Sequence, residues 1–394
     1  MRILMVNKFL YPRGGAETYT IELGKQLKSM GHEVEYFGMY DEKNVCYNRS
    51  GLYANPTDFH NVTADTATYP FRIIWSNECY EKMRKLIENF KPDIIHLNNF
   101  NYQLTPSIID AARDKGIPVV MTAHDSQLIC PNHLLYDFNK NSICTKCVDD
   151  HNPKHCVETK CIHGSSAKSA LGTLEGSMYL KKDTYDYISK IICPSHFMKE
   201  IYETQERFKP KTVYLQNYTN EFVHKELQKE NYIFYFGRLS PEKGVNNIME
   251  ATKVFPQETF ISAGTGPSEE TMKGISNLKL VGFQKGEALY DLIRKAKLVI
   301  LPSTCYENCP LAVIEAQKLG APVIAPSYGG ASELTEKEFQ IADTSPQALI
   351  NAISKALKGD NLLKMVEDSN TRSKSYLLLP EYAEKIVEVY KCAI

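Results

Sequence analysis

The sequence predicts an α/β protein with two doubly wound parallel sheets, each in its own Rossmann-like domain. Short apolar runs alternate with amphipathic segments along the chain, which is typical of βαβ units. Many of the runs end in glycine or polar residues, as strands do where they enter the loops at the carboxyl edge of a parallel sheet. The 394 residues suffice for two or three domains, each with a core of its own.

Composition narrows the class of protein. The formal net charge is −1 and 24% of the residues are charged, so we expect no nucleic acid partner. The sequence opens on a strand-like segment without the pattern of a signal peptide. No apolar run approaches the roughly 20 residues that span a bilayer. We therefore expect a cytoplasmic protein that at most touches the inner face of the membrane.

The first apolar run, Arg2 to Val6, precedes a glycine loop and a helix. Gly14 and Gly15 are adjacent in this loop, which permits close approach by a backbone or a ligand. A simple tight turn is the alternative. The loop lacks the full dinucleotide fingerprint, so we do not expect a nicotinamide cofactor.

A histidine, His124, directly follows the predicted strand Val119 to Ala123. Ligand sites in parallel sheets gather at the carboxyl ends of strands. An imidazole there can hydrogen-bond a sugar hydroxyl or shuttle a proton near neutral pH. A histidine satisfied by the local backbone is the alternative.

Two further segments of the first half are ambiguous. Residues 40–70 show no periodicity and are interpreted as a long excursion that lines an acceptor groove. Met83, Leu86, Ile87 and Phe90 define the apolar face of a helix that also carries basic residues. We favour packing of this face against the core, with contact to anionic lipid as the alternative.

Five of the eleven cysteines lie between Cys130 and Cys161, which marks a local feature and not a disulfide scaffold. A Cys-x2-Cys pair followed by a Cys-x4-Cys pair has the ligand number of a tetrahedral zinc site. Such a site has no open coordination position and therefore no catalytic role. Unligated thiols in a substrate loop are the alternative. The predicted structural zinc ligands are Cys144, Cys147, Cys156 and Cys161.

In the second half, the strand Ile233 to Phe236 is followed by Arg238 and Lys243. Arginine offers a bidentate fork and lysine a point charge, a suitable pair for two phosphates. The sequence contains no Asp-x-Asp pair of the kind that holds a divalent metal in many nucleotide-sugar enzymes. The two cations are therefore predicted to carry the charge of a leaving diphosphate.

Two more strands of this half, Phe260 to Ala263 and Leu278 to Val281, end in glycine turns. The turns contain Gly264 and Phe283. We also predict a strand at Phe339 to Ala342, followed by helices to the end of the chain.

The stretch from Leu298 to Glu333 is the most informative. A short strand leads through Glu307 into a helix that begins with Pro310 in its first position, and Glu315 lies inside this helix. First-turn amides have no partners within a helix, so they form an anion site. The predicted free donors are the amides of Asn308, Cys309, Leu311 and Ala312. Carboxylates on both sides of such a site fit a nucleoside diphosphate that carries a sugar.

Glu307, seven residues, Glu315, then Gly329-Gly330 and Glu333 resemble the signature of the family 4 retaining glycosyltransferases. The resemblance covers nearly the whole chain and is strongest over residues 231–335. It implies the GT-B fold, in which two Rossmann-like doubly wound domains face a central cleft. We expect an acceptor-side domain at 1–218 with a Cys-rich insertion at 130–163, and a nucleotide-sugar domain at 219–379. The terminal helix, 380–394, is expected to cross back to the first domain.

The resemblance also implies roles for individual residues. Glu307 and His124 would act on the donor sugar, and Glu315 would hold the ribose hydroxyls. The loop of Gly14 and Gly15 would cover the diphosphate and acceptor. The remaining substrate-binding residues implied are Arg238, Lys243, Gly264, Phe283, Asn308, Cys309, Pro310 and Leu311.

The predicted activity is that of a retaining, metal-independent hexosyltransferase without a catalytic cofactor. It would move a sugar from a nucleoside diphosphate sugar, UDP- or GDP-linked, to a hydroxyl of a glycan or lipid-linked acceptor. Bacterial cell-surface polysaccharide synthesis is the expected process, with a peripheral membrane contact as an open possibility. Two alternatives remain: a non-catalytic nucleotide-sugar-binding protein, and a phosphorylase or epimerase of the same fold.

Overall fold

The computed structural model describes residues 1–56, 69–223, 225 and 227–394, with only the backbone at 69–71. The chain forms two compact units. Unit 1 comprises Met1–Asn139, Thr145–Leu215 and Leu379–Ile394, and unit 2 comprises Lys140–Cys144 and Gln216–Leu378.

Unit 1 is built on a six-stranded sheet in which all neighbouring strands are parallel. Its strand order is β2-β1-β3-β4-β7-β8. The strands of this half of the chain are β1 (Arg2–Val6), β2 (Glu33–Phe37), β3 (Ile94–Leu97), β4 (Val119–Thr122), β5 (Tyr136–Asp137), β6 (Ser142–Ile143), β7 (Ile188–Cys193) and β8 (Thr212–Tyr214).

Helices connect these strands, as the alternating pattern predicts. A 3₁₀ helix at Asp183–Tyr187 precedes β7. The α-helices are α1 (Gly15–Ser29), α2 (Tyr69–Ile74), α3 (Asn77–Phe90), α4 (Ser107–Asp114), α5 (Lys146–Asp149), α6 (Lys154–Thr159), α7 (Ser166–Lys181) and α8 (His196–Glu203).

The apolar face of α3 is buried in unit 1. Met83, Leu86, Ile87 and Phe90 are each at most 3% exposed. The Ser76 hydroxyl caps the helix by accepting from the amide of Cys79 at 3.2 Å. The core-packing interpretation is therefore confirmed, and this face is not available to lipid. Within the excursion at 40–70, residues 57–68 lie outside the described residues.

Unit 2 is built on a second parallel sheet, with strand order β11-β10-β9-β12-β13. Its strands are β9 (Tyr232–Phe236), β10 (Thr259–Ala263), β11 (Leu278–Leu280), β12 (Leu298–Ile300) and β13 (Val323–Ile324). Its α-helices are α9 (Val245–Val254), α10 (Glu269–Met272), α11 (Gly286–Lys295), α12 (Leu311–Lys318), α13 (Pro346–Ala356) and α14 (Asn361–Ser373).

The sheet of unit 2 has a hydrophobic core on each face. Ile233 and Tyr235 of β9 belong to one buried cluster, and Tyr232, Phe234 and Phe236 belong to the other. Because successive side chains of a strand point to opposite faces, a continuous apolar run fits a strand covered on both sides. The predicted doubly wound arrangement is thus confirmed.

The predicted strand at 339–342 is wrong. Lys337–Phe339 form a 3₁₀ helix, and Ile341 makes a single bridge with Pro326. Phe339 and Ile341 are both buried, so packing against the core accounts for their alternation, and Ile341 alone of residues 339–342 pairs with the chain beyond β13.

The final helix, α15 (Leu379–Lys391), joins unit 1 through buried hydrogen bonds. The Tyr390 hydroxyl lies 2.6 Å from His96 Nδ1, and His96 Nε2 lies 2.8 Å from the Thr122 hydroxyl. The Tyr19 hydroxyl lies 3.0 Å from that of Thr122 and 2.9 Å from that of Tyr382. This network ties α15 to α1, β3 and β4.

Burial lowers the pKa of His96 to about 3, so the imidazole is neutral in the folded protein near pH 7. Between pH 6.5 and 3 the unfolded chain binds this proton and the folded chain does not. Folding stability is therefore lost as the pH falls through this window, by about 1.4 kcal/mol per pH unit for one such group.

We predict that His96→Asn makes the melting temperature fall less between pH 7 and pH 5 than it does in the wild type. Differential scanning calorimetry at several pH values measures this. His196→Asn, at an exposed position, is the control and should keep the wild-type dependence. An unchanged dependence in His96→Asn would contradict the assignment.

Candidate active site

The loop that follows β9 brings two cations to the carboxyl edge of the unit 2 sheet. Arg238 is exposed, and Lys243 ends a short 3₁₀ helix at Pro241–Lys243. Gly244 follows with φ of 76°, and a Cβ there would lie 1.8 Å from the Pro302 carbonyl oxygen. The loop after β9 therefore packs directly against the loop after β12.

This contact places Lys243 beside Glu307. The Lys243 ammonium donates to Glu307 Oε1 at 2.6 Å, and the Ser303 hydroxyl donates to the same oxygen at 2.5 Å. The side chains of Glu307 and Lys243 are 14% and 30% exposed. The sequence predicted both residues, but neither their pairing nor the role of Ser303.

The ion pair keeps both groups charged in spite of burial. Burial favours the neutral form of Lys243, but the Glu307 carboxylate outweighs it and raises the pKa of the ammonium. Burial likewise opposes ionisation of Glu307, while Lys243 and the Ser303 hydroxyl lower its pKa. The result is a fixed positive charge held next to a carboxylate.

The N-terminus of α12 follows Glu307 closely. Pro310 is the N-cap and Leu311 the first helical residue, so the predicted position of Pro310 is wrong by one. The first intrahelical hydrogen bond runs from the Val313 amide to the Pro310 carbonyl at 3.0 Å. The amides of Leu311 and Ala312 precede that bond, which is the expected arrangement of an anion site.

Two polar side chains, those of Asn217 and Glu315, belong to this part of the site. The Asn217 side chain donates to the Cys309 carbonyl at 2.9 Å. Half-buried Glu315 is the fifth residue of α12, and burial raises the pKa of its carboxyl group to about 7. Glu315 is therefore poised to change its charge near neutral pH.

Glycines bring the neighbouring loops into backbone contact. Gly237 and Gly264 have φ values of 151° and 150°, and a Cβ at Gly264 would lie 1.8 Å from the Gly237 carbonyl oxygen. The amide of Gly330 donates to the Glu307 carbonyl at 2.7 Å. Phe283 follows β11 and its side chain is 70% exposed.

In unit 1, His124 lies just after β4, where the sequence predicts it. Its Nε2 is 2.8 Å from Asn98 Oδ1, while Asn98 Nδ2 donates to the Val6 carbonyl at 3.2 Å. This second bond fixes the orientation of the amide, so Nε2 carries the proton. Burial lowers the pKa of His124 to about 3. The imidazole is neutral, with Nδ1 as an acceptor.

Gly14 and Gly15 lie at the start of α1. Gly14 is the N-cap, both glycines are exposed, and the Thr18 amide donates to the Gly14 carbonyl at 3.1 Å. A Cβ at Gly15 would have no atom within 4 Å, so the structure leaves open space at this position.

Sequence reasoning missed a group of charged residues beside His124. Burial raises the pKa of Asp125 to about 6, and nearby Lys8 opposes this shift. Burial lowers the pKa of Lys8, against the attraction of Asp125 and Glu17. Lys8 and Asp125 lie two and three residues after the ends of β1 and β4, so the rule that singled out His124 was sufficient to find them.

The predicted zinc ligands are only partly brought together. Cys147, Cys156 and Cys161 form one buried cluster, whereas Cys144 is half-exposed and lies outside it. Within the described part of the chain, no three His, Cys, Asp or Glu side chains already have the arrangement of a metal site. Zinc binding therefore stays a prediction.

Two family models together match almost the whole chain. The model of Glycosyltransferase Family 4 matches residues 13–217, and that of Glycosyl transferases group 1 matches residues 217–373. The chain belongs to glycosyltransferase family 4. The resemblance seen in the Glu307 to Glu333 motif is thereby confirmed.

Relatives of this family 4 glycosyltransferase include bacterial polysaccharide proteins. An uncharacterized 42.6 kDa protein in the cps region of Klebsiella pneumoniae is 24% identical, over 85% of this chain and 87% of that protein. An Escherichia coli UDP-Gal:alpha-D-GlcNAc-diphosphoundecaprenol alpha-1,3-galactosyltransferase is 25% identical over 42% of this chain. The match spans 46% of that enzyme's length.

Solved structures confirm the GT-B fold. Anabaena HepE, in complex with UDP and glucose, aligns over 100% of both chains with a TM-score of 0.69 and 17% identity. Within the described residues, no helix is both long and apolar enough to cross a membrane.

The close packing at Gly244 generates a prediction. Gly244→Ala should destabilise unit 2 by at least about 2 kcal/mol more than Gly274→Ala, because only Gly244 faces a backbone atom. Gly274 has φ of 80°, and a Cβ there would have no atom within 4 Å. Alanine at this position therefore has only the strain of a left-handed backbone, which both variants share. Calorimetric unfolding compares the two variants, and equal losses would contradict the loop contact.

Proposed function

We propose that this glycosyltransferase moves a sugar from a nucleoside diphosphate sugar to a hydroxyl of a glycan or lipid-linked acceptor, with retention of anomeric configuration. The observation that carries the proposal is the Lys243–Glu307 ion pair beside the N-terminus of α12. The Lys243 ammonium and the helix amides at this sheet edge fit a diphosphate, and the Glu307 carboxylate fits the sugar that it carries.

Arg238, Lys243 and the first-turn amides of α12 would hold the diphosphate. Exposed Arg238 offers two parallel donors to phosphate oxygens, and Lys243 offers a point charge. Both stabilise the charge that develops as the diphosphate leaves. We therefore propose a metal-independent reaction, in keeping with a sequence that has no Asp-x-Asp pair.

The remaining residues of unit 2 would hold the rest of the donor. The carboxylate of Glu307 would accept hydrogen bonds from sugar hydroxyls, and that of Glu315 from ribose hydroxyls. The turns at Gly264 and Phe283 would border the nucleobase. The amides of Asn308, Cys309 and Leu311, with Pro310 as N-cap, would form the diphosphate end of the site.

In unit 1, His124 would accept a hydrogen bond from a donor sugar hydroxyl through Nδ1. This role agrees with the neutral tautomer set by Asn98. The loop of Gly14 and Gly15 would lie near the diphosphate and the acceptor, where the absence of side chains permits close approach.

In the proposed reaction, the acceptor oxygen bonds to the anomeric carbon as the bond from that carbon to the diphosphate oxygen breaks. Attack takes place on the face that the diphosphate leaves, which retains configuration. A phosphate oxygen takes the proton of the acceptor hydroxyl. Glu307 orients the sugar and forms no covalent bond to it.

The substrates of related proteins support a specific choice of donor and acceptor. HepE was solved with UDP and glucose, and the Escherichia coli relative is a UDP-Gal-dependent galactosyltransferase acting on a diphosphoundecaprenol-linked sugar. We propose a UDP-linked hexose as the donor, a lipid-linked saccharide as the acceptor, and polysaccharide synthesis as the process. The proposed place of this reaction is the inner face of the membrane.

The direct test is a transfer assay with UDP- and GDP-hexoses and synthetic lipid diphosphate-linked saccharides. Acceptor-dependent release of nucleotide, with a product whose anomeric proton coupling matches that of the donor, supports the proposal. Nucleotide binding without transfer to any acceptor would support a non-catalytic binding protein instead.

The role of Glu307 generates a second prediction. Glu307→Gln should lower kcat at least about 100-fold, because a neutral amide cannot replace a charged acceptor in the transition state. The Kd for UDP should stay within a few-fold or tighten, since Lys243 loses its partner. Steady-state kinetics and titration calorimetry measure both. Exposed Glu338→Gln is the control, and normal transfer by Glu307→Gln would refute the role.

Glu315 gives a pH-dependent prediction. Its raised pKa of about 7 means that the carboxylate forms as the pH rises from 6 to 8. If the carboxylate holds the ribose, affinity for UDP should increase about tenfold over that range. The Glu315→Gln variant should not show this increase in affinity, and it should keep only the pH dependence of UDP binding that arises from ionisation of the phosphates. Identical pH profiles in the two proteins, measured by calorimetry, would contradict the ribose role.

A further inference from the structure

The Cys-rich insertion of unit 1 has a small core made of thiols. Cys147, Cys156 and Cys161 are 8%, 0% and 5% exposed and form a cluster against which Ile162 packs. Short segments with little apolar core usually require a disulfide or a metal ion for stability. The thiol cluster is therefore the natural place for such a constraint.

The backbone holds two of these sulfurs together. At the end of α6, the Cys161 amide donates to the Cys156 carbonyl and the Lys160 amide to the Val157 carbonyl. The backbone of Lys160 is in the left-handed conformation, with φ of 54°. Together with the two hydrogen bonds, this conformation defines a Schellman motif. This motif brings together the side chains at its first and last positions. The sulfurs of Cys156 and Cys161 are accordingly 3.0 Å apart.

A fourth thiol, Cys130, adjoins the cluster. It lines the same cavity as Cys147. The Asn132 side chain links it to the cluster, because its Oδ1 accepts from the Cys130 thiol at 3.1 Å and the side chain also contacts the Cys161 sulfur. The backbone amides of residues 132, 133 and 135 face its sulfur. Backbone amides that donate to a ligand atom are contacts of the kind that orient the ligands of a metal site.

We propose that Cys130, Cys147, Cys156 and Cys161 bind a structural zinc ion as four thiolates. This set replaces Cys144 of the sequence-based prediction with Cys130, because Cys144 is half-exposed and outside the cluster. A closed tetrahedral site of four thiolates has no open position, so its role is to stabilise the insertion.

The four thiols lie in one part of the insertion, but the sulfurs of Cys156 and Cys161 are closer together than two ligands of a tetrahedral zinc ion. Two ligands on one zinc ion are about 3.8 Å apart, from Zn–S bonds of about 2.3 Å at the tetrahedral angle. The Cys156 and Cys161 sulfurs must therefore separate by less than about 1 Å, which small side-chain rotations provide. A single disulfide between them would leave Cys130 and Cys147 unused, whereas zinc engages all four.

The first test uses the wild-type full-length chain, expressed in zinc-supplemented medium and purified without added metal. Elemental analysis should find about one zinc per chain. Alkylation with iodoacetamide under native conditions should spare the four proposed ligands and modify Cys144 and Cys392. Removal of zinc by a chelator should make the four ligands reactive, as peptide mass spectrometry can show.

Serine variants test the ligand set. Cys130→Ser and Cys147→Ser should each lose most of the zinc, while Cys144→Ser and exposed Cys392→Ser keep it. Zinc well below one per chain, or a Cys156–Cys161 disulfide in the freshly purified chain, would overturn the proposal. Loss of zinc in Cys144→Ser with retention in Cys130→Ser would overturn the choice of the fourth ligand. The alkylation result on the wild type stands even if a variant fails to fold.

Discussion

Parallel pairing of the strands is the constraint on which the candidate site depends. Because neighbouring strands of the six-stranded and the five-stranded sheet are parallel, the loops after the strands of each sheet gather at one edge. In unit 2 this edge collects the loops after β9, β10 and β12, which carry Lys243, Gly264 and Glu307. In unit 1 it collects Lys8 and His124. Residues far apart in sequence become neighbours through this topology alone.

Within that frame, the Lys243–Glu307 ion pair sets the electrostatics of unit 2. A half-buried pair of this kind is weak evidence for stability, since loss of hydration offsets much of the attraction. Its clearer consequence is the placement of charge. Glu307 keeps Lys243 protonated without a bound anion, and an arriving diphosphate would compete for the same ammonium group. The site is therefore organised in advance of the proposed donor, which would lower the cost of ordering it on binding.

Much of the fold and part of the site could be predicted from the sequence. Strands such as β1 and β9 are apolar runs bounded by polar or glycine residues, and they were located to within one residue. The short run at 339–342 was wrongly predicted to be a strand, because two buried residues in alternation fit a strand and a packed turn equally well. Glu307 and Lys243 were found in the loops that follow predicted strands, and His124 at the end of one.

Contacts between distant parts of the chain could not be predicted in this way. His96 and Tyr390 meet across 294 positions, and Lys243 and Glu307 across 64. No local pattern encodes such pairing, which depends on strand order and helix packing. The fourth thiol of the insertion shows the same limit. Spacing favours Cys144, whereas the fold places Cys130 beside the cluster.

We propose that unit 2 holds a nucleoside diphosphate through Arg238 and Lys243. Thermal melting of the full chain with UDP, GDP, ADP and UMP distinguishes this site from a chain that binds no nucleotide. A diphosphate at about 100 times its Kd should stabilise the protein by about 2.7 kcal/mol, which raises the melting temperature by several degrees. We expect this shift with UDP, a smaller one with UMP, and none with UDP in the Arg238→Ala/Lys243→Ala double variant. An equal shift in that variant, or no shift with any nucleotide, would contradict diphosphate binding by these two cations.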